Sequence, residues 1–409
     1  MDKELLKRDI SDEIVKYLDT ENIIVLHGAR QVGKSHILFY LENILKNDGK
    51  PTYYIDLEDS RFVDILNDGV DALLAFLKAE GFDLEKVKSG GKRFFLFIDE
   101  IQYLEKPSPL LKLLIDHHSY IQLIVSGSSS FNIKSKFSDS LVGRTVDFEI
   151  FNLSFSEFLR FKNIVYDLSS ELPEFQLKKI KELYAEYMFF GGYPKIVLEN
   201  SVEKKEKYLQ QIIDTYIKKD IRDLANIKNI KKFNDLLKVL SSQSGQLLNV
   251  AELSRKCNIA VQTIESHLFL LENTYIIKLV SPFSTNSLVE VIKSPKVFFY
   301  DTGLLQMLQS KKLQRTDQGS VFETSIFSEL VKKFGQEKIN FWRNKNQNEI
   351  DFILQKRDGI LPIEVKNNFR NFRKTPMSFF CEKYKLKDYK VVSIEGEKRG
   401  KEYIYPWEI

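Results

Sequence analysis

The chain has 409 residues, 43% of them hydrophobic and 29% charged, with a formal net charge of +4. That length allows two to four domains at ~100–200 residues each, and the charge balance does not by itself point to a nucleic-acid partner. No run approaches the ~18 apolar residues of a membrane span, no apolar leader follows Met1-Asp2-Lys3-Glu4, and Cys257 and Cys381 match no metal-ligand spacing; a cytoplasmic protein with no membrane anchor is expected.

In chain order, residues 3–18 read as a charged amphipathic helix, Asn22–His27 as a short apolar strand and Ser35–Lys46 as a helix. Pro51–Leu57, Lys92–Ile98 and Ile121–Val125 read as further strands, with a helix over Pro109–Ser119. Strands alternating with helices imply a parallel sheet covered on both faces. Residues 175–240 read as mostly helical, interrupted at Gly191-Gly192-Tyr193-Pro194; residues 241–310 as small helices followed by a strand pair. Residues 315–409 return to mixed α and β, with strands near 341–342, 348–354, 360–366 and 389–394.

Gly28-Ala29-Arg30-Gln31-Val32-Gly33-Lys34-Ser35 fits GxxxxGK[ST] in full, with a strand before it and a helix, opening Ser35-His36, after it. Glycines let backbone N–H groups wrap phosphates, and the helix N-terminus adds its positive end. Residues 28–36 are therefore the expected ATP contacts. Lys34 would reach the β and γ phosphates, and the Ser35 hydroxyl would bind Mg²⁺. Phe94–Ile98 is an apolar run ending in Asp99-Glu100. Asp99 would hold Mg²⁺ and Glu100 would polarise the attacking water; the plain alternative is a helix N-cap. A Ser-rich strand end follows, in which Ser128 would sense the γ-phosphate unless it is only a turn. Arg144 would stabilise the transferring phosphoryl group, in cis or from a neighbouring subunit, unless it is a surface ion pair. Action in trans would require a homo-oligomer.

This order, continued by Phe151-Asn152-Leu153-Ser154-Phe155-Ser156-Glu157-Phe158, resembles the AAA-type prokaryotic ATPases often called archaeal-ATPase-like. The likeness spans residues 1–200, with Asn152 where the family usually has Pro. In related signalling ATPases a Gly-x-Pro element touches adenine, which would give Pro194 that role unless it marks a helix-breaking turn.

Residues 248–280 read as two helices and a short turn, with Ala251, Leu253, Ile259, Ile264, Leu268 and Leu271 packing inward. With a wing from Tyr275–Val280 and Lys296–Tyr300 this resembles a winged helix-turn-helix. Its outward face carries Gln262, Thr263, Glu265 and Ser266 and has few bases, so DNA reading and a protein-contact role both stand.

Near the end, Asp358-Gly359 separates two alternating apolar runs, a hairpin signal. Glu364 and Lys366 fall on one strand face, with Asp351 on the neighbouring strand. Two carboxylates and a lysine suit metal-assisted attack on a phosphodiester; a salt-bridge cluster is the alternative. The pattern resembles the PD-(D/E)xK nuclease superfamily, and the resemblance makes Glu323, on a helix over Gly319–Phe334, the upstream acid. Phe341-Trp342-Arg343 and Glu364-Val365-Lys366 also look like the domain of unknown function found beside this ATPase type. The resemblance implies Mg²⁺ or Mn²⁺ at Glu323, Asp351 and Glu364. The run Asn367–Lys374 interleaves bases with Phe369 and Phe372 and would follow a phosphate backbone by stacking, or else be a solvated loop.

The expected fold is α/β: a P-loop ATPase domain with a parallel sheet over residues 1–162, a helical lid over 163–240, a winged helix-turn-helix over 241–312 and a restriction-endonuclease-like α/β domain over 313–409. Two functions fit. One is an ATP-dependent enzyme that cuts DNA; the other is a nucleotide-gated switch with an inactive nuclease fold that binds DNA or protein partners. A small-molecule kinase fits poorly, because the residues beyond the P-loop domain offer no compact acceptor lid.

Overall fold

The structure is a computed structural model, and it describes residues 5–127, 141–168, 172–215, 227, 229–284, 294–310, 313 and 318–409. The chain divides into two compact units, Met1–Phe151 and Asn152–Ile409.

The first unit is an α/β layer structure. Its helices are α1 (Ile10–Val15), α2 (Lys34–Asn47), α3 (Ser60–Asn67), α4 (Val70–Ala79), α5 (Leu84–Ser89) and α6 (Pro107–His117). Its strands are β1 (Ile23–Gly28), β2 (Thr52–Asp56), β3 (Phe94–Asp99), β4 (Ile121–Gly127) and β5 (Thr145–Ile150). All neighbours pair in parallel, in the order β2-β3-β4-β1-β5. β1, β3 and β4 are buried along their whole length, which is why they read as unbroken apolar runs rather than alternating ones. One face of the sheet packs Val25, Leu96, Ile98 and Val125 against Leu73, Leu77, Leu111 and Leu114. Helices α3 to α5 and strand β5 were not assigned from sequence. Among the described residues, the helix expected over 3–18 spans Ile10–Val15. Arg8 explains its late start: its buried guanidinium donates to the Val32 and Phe151 carbonyls, 2.8 and 2.9 Å away.

The second unit begins with α7 (Phe155–Phe161), a helix closed by a Ser154/Glu157 capping box. Then come α8 (Glu174–Phe190), α9 (Pro194–Leu198), α10 (Val202–Ile212), α11 (Ile230–Ser242), α12 (Val250–Cys257) and α13 (Val261–Asn273). Strands β6 (Ile277–Val280) and β7 (Lys296–Phe299) pair antiparallel, followed by α14 (Thr302–Ser310) and α15 (Gln318–Phe334). The remainder is β8 (Ile339–Arg343), β9 (Glu349–Lys356), β10 (Gly359–Val365), α16 (Lys374–Tyr384), β11 (Lys390–Val392) and β12 (Tyr403–Ile404). This sheet runs β12-β11-β10-β9-β8, with β8, β9 and β10 antiparallel and β11 parallel to β10.

Three segments that the sequence separates are here one body. Phe155 of α7 lies 5.0 Å from the Tyr184 ring of α8 and 6.1 Å from Trp407, and Tyr184 lies 6.0 Å from Trp407. Residues 152–161 pack within this second unit. At Gly191, φ is 79° and a Cβ would stand 2.3 Å from the Asp301 carboxylate. Only glycine fits there. The buried Asp301 accepts from the backbone N–H of Gly192 at 2.8 Å and of Leu304 at 2.8 Å, and from the Asn152 amide. Asn152, the departure from the expected Pro, thus supplies a donor that proline lacks.

Candidate active site

The GxxxxGK[ST] string sits at the C-terminal edge of the parallel sheet, where open α/β folds bind ligands. Gly28 closes β1, and a Cβ there would lie 2.1 Å from the Ile150 carbonyl oxygen of β5. Gly33, at φ 98°, caps α2. Ala29 and Val32 are buried, Arg30 is half-buried and Gln31 is exposed with φ 63°. Lys34 is 5% exposed, and its ammonium donates to the Gly28 and Ala29 carbonyls at 3.2 and 2.9 Å. Burial pushes its pKa down, against the opposing pull of Glu100 and Asp99. Ser35 follows at the first turn of α2. His36 is half-buried and engages the Leu6 carbonyl at 3.0 Å, and its burial lowers its pKa.

Strand β4 lies between β1 and β3, so a side chain at its end sits between the P-loop and Asp99. That side chain is Ser126. The buried Asp99 takes hydrogen bonds on both oxygens: the Ser126 hydroxyl and the Glu100 N–H, at 3.1 Å, on Oδ1, and the Tyr54 phenol, at 2.7 Å, on Oδ2. The Tyr54 pKa is raised, first by burial and then by the Asp99 charge. Glu100 adopts a left-handed conformation, φ 56° and ψ 47°, and receives the Gln102 amide. Neither residue acts as the helix cap that was the alternative: the turn after Glu100 has no side-chain cap.

Ser128 lies outside the described residues; among those described, the hydroxyls of Ser126 and Tyr54 stand beside Asp99. Arg144 is not brought to this edge. Its carbonyl accepts from Ile23 N–H, 2.8 Å away, at the start of β1. It therefore sits at the opposite end of the strand, about 17 Å from Gly28 by strand rise. Its guanidinium pairs with Asp116 at 3.1 Å. Within one chain the expected cis role fails on this geometry. The Gly192 N–H donates to Asp301 and its carbonyl accepts from the Leu153 N–H, each at 2.8 Å inside the second unit, and Pro194 is the first residue of α9.

In the second unit the predicted acids do converge. Lys366 Nζ is 2.6 Å from Glu364 Oε1 and 3.7 Å from Asp351 Oδ2, and the Val365 N–H donates to Asp351 at 2.7 Å. The Glu364 Oε2 atom is buried without a hydrogen-bond partner. Burial and then the Asp351 charge push the Glu364 pKa up to about 7, and the same two causes push Glu323 up to about 8. Sequence reading missed the residue that organises Glu323. Lys296, the first residue of β7, pairs with it at 3.2 Å and with Glu349 at 2.7 Å. Among the described residues no three acidic, histidine or cysteine side chains stand together in a ready metal-ligand arrangement.

The aromatic run is a correction. Phe369 is 1% exposed and packs with Val391 and Tyr405, and the half-buried Phe372 stacks on Tyr389. These rings are core and are unavailable for base stacking; Arg370, Arg373 and Lys374 are exposed beside them.

Residues 20–159 match the family model described as AAA domain. This region is an AAA-type ATPase domain. Residues 181–315 and 318–407 match two models, each described as a domain of unknown function (DUF8612 and DUF4143). An uncharacterized protein of Haemophilus influenzae is 26% identical over 374 residues, spanning 89% of this chain and 88% of its own. The uncharacterized protein MJ1544 of Methanocaldococcus jannaschii is 27% identical over 356 residues, spanning 86% and 75%. Among solved structures, AMPPCP-bound DnaA from Aquifex aeolicus aligns over 64% of this chain and 86% of its own at 18% identity and a TM-score of 0.28. Cdc6p from Pyrobaculum aerophilum aligns over 77% and 98% at 14% identity and a TM-score of 0.33. Overlap that loose carries no functional information. Among the described residues no helix is long and apolar enough to cross a membrane.

Proposed function

We propose that the AAA-type domain hydrolyses Mg-ATP and that the second unit cleaves phosphodiester bonds of DNA at Asp351, Glu364 and Lys366. The observation that carries the second half is the Glu364 carboxylate. One oxygen is paired with Lys366, and the other is buried with no partner. A buried unpaired carboxylate oxygen costs free energy unless a proton or cation meets it. Hard oxygen donors on Asp351 and Glu364 fit Mg²⁺ or Mn²⁺.

At the ATP site, Lys34 leaves the Gly28 and Ala29 carbonyls to meet the β and γ phosphates. Glu100 orients the attacking water, and Ser126 reads the neighbouring charge through Asp99. Ser35 and Asp99 would hold Mg²⁺, which supplies charge neutralisation between the phosphates. Arg144 serves a neighbouring copy, so the active form is a homo-oligomer. Mass measurement with ATP should then show an assembly, and a monomer in ATP would remove Arg144 from the site.

In the second unit, Asp351 and Glu364 would hold the metal, whose bound charge lowers the pKa of a water nucleophile. Lys366 positions that water against the phosphate. Helices α12 and α13 with β6 and β7 serve as a winged helix that places DNA, with exposed Gln262, Thr263 and Ser266 on its outer face. Incubation with plasmid and Mn²⁺ tests this reading: wild type should nick or linearise it, and Glu364→Ala should not. Equal cutting by both would remove the site.

A nucleotide-gated switch is the second reading. It is favoured by Lys296 and Lys366, which already neutralise the carboxylates. It predicts no cleavage but partner or DNA affinity that responds to ATP in wild type and not in Lys34→Ala.

A further inference from the structure

Four carboxylates in the second unit gather around two ammonium groups, and Arg343 also stands 3.5 Å from Glu349. Lys366 takes Glu364 and Asp351; Lys296 takes Glu323 and Glu349. The two lysines differ in how they are held. The Lys366 side chain is 29% exposed, whereas that of Lys296 is 3% exposed. Lys296 is pinned through its backbone on both sides, paired with Val280 of β6 and bridged to Leu247. Its ammonium also lies 5.5 Å from the Phe341 ring centroid. Lys296 is thus a fixed charge, while Lys366 has room to move. The partnerless oxygen lies on the Lys366 side of the cluster, on Glu364.

We propose that Lys296 is a permanent cation of this cluster, standing where a second divalent ion would otherwise sit, so that the cluster takes one divalent ion at Asp351 and Glu364 and Glu323 is not a ligand. The proposal rests on the phosphodiesterase reading for the identity of the ion site. It also means that the site draws on two family-model segments, 181–315 for Lys296 and 318–407 for the acids. The last segment alone would leave Glu323 without its ammonium, and Glu349 with only Arg343, 3.5 Å away.

Counting bound Mn²⁺ by electron paramagnetic resonance, on the full chain without nucleotide, tests it apart from activity. Wild type should bind one ion that Glu364→Ala loses. Lys296→Met should gain a second ion at Glu323 and Glu349. The double variant Lys296→Met/Glu323→Gln removes the paired charges together and guards against a single variant that does not fold. It should keep the one ion within ~10-fold of the wild-type affinity, since no ligand is lost. Loss of the ion in the double variant would make Glu323 a ligand and overturn the proposal, as would a folded Lys296→Met that still binds one ion. Wild type with no Glu364-dependent ion would overturn the metal site itself, and with it the phosphodiesterase reading and this proposal. Failure confined to the variants overturns only the role of Lys296.

Discussion

The two charged sites of this chain are built in opposite ways. In the first unit the proposed anion cradle is backbone, held on eight consecutive residues between a strand and a helix, and the buried Lys34 ammonium folds onto its own loop. In the second unit the site is made of side chains from β7, α15, β9 and β10, whose like charges are crowded until two lysines compensate them. The first is built to wait for a ligand; the second is under electrostatic load without one. Disturbing the first should therefore change catalysis with little effect on stability, and disturbing the second should change both.

The largest expected effect is Lys34→Ala. It should lower ATP hydrolysis on the order of 10³-fold, measured as phosphate release, because it removes a charge-assisted contact at the transferring group. Its thermal unfolding should stay near wild type, and a residual rate within tenfold of wild type would break the contrast. Next is pH. The folded-state pKa values of Glu323 and Glu364 are raised to about 8 and about 7. Each group then stabilises the fold fully below its ordinary carboxylate value and loses that contribution as pH rises through the folded value. Stability of the second unit should fall by a few kcal/mol, roughly, between pH 4.5 and 8. Glu323→Gln should flatten the profile, and a profile unchanged by it would show the load lies elsewhere. Tyr54→Phe should be smaller. Loss of one hydrogen bond on Asp99, worth ~1 kcal/mol, should lower Mg²⁺-dependent hydrolysis about fivefold. Smallest is Arg373→Ala, which should weaken DNA binding in a salt-dependent way while stability stays within ~0.5 kcal/mol. Phe372→Ala should do the reverse.

What could be read from the sequence follows the same division. The P-loop and Asp99-Glu100 were legible because backbone cradles and buried parallel strands leave contiguous strings. Glu364 and Lys366 were legible through alternation on one strand. Tyr54, Ser126, Arg8 and Lys296 were not, because each acts on a residue at least 24 positions away, and nothing local marks a tyrosine or lysine as bound to a distant carboxylate. Phe369 and Phe372 misled for a related reason. An aromatic between bases looks the same whether it faces a nucleobase or, as here, the underside of a small sheet. Arg144 was placed by its order in the motif series, which does not say at which end of the strand a residue lies.

The packing of Trp407 against Phe155 and Tyr184 sets a condition on how this chain acquires its structure. A helix near residue 155 cannot bury its aromatic face until a turn some 250 residues downstream has emerged and returned to it. Such long-range closure slows folding and leaves apolar surface exposed while synthesis proceeds. The first unit, whose pairings all lie within residues 23–150, can be complete on the ribosome long before then, and the second half is the part expected to need a chaperone.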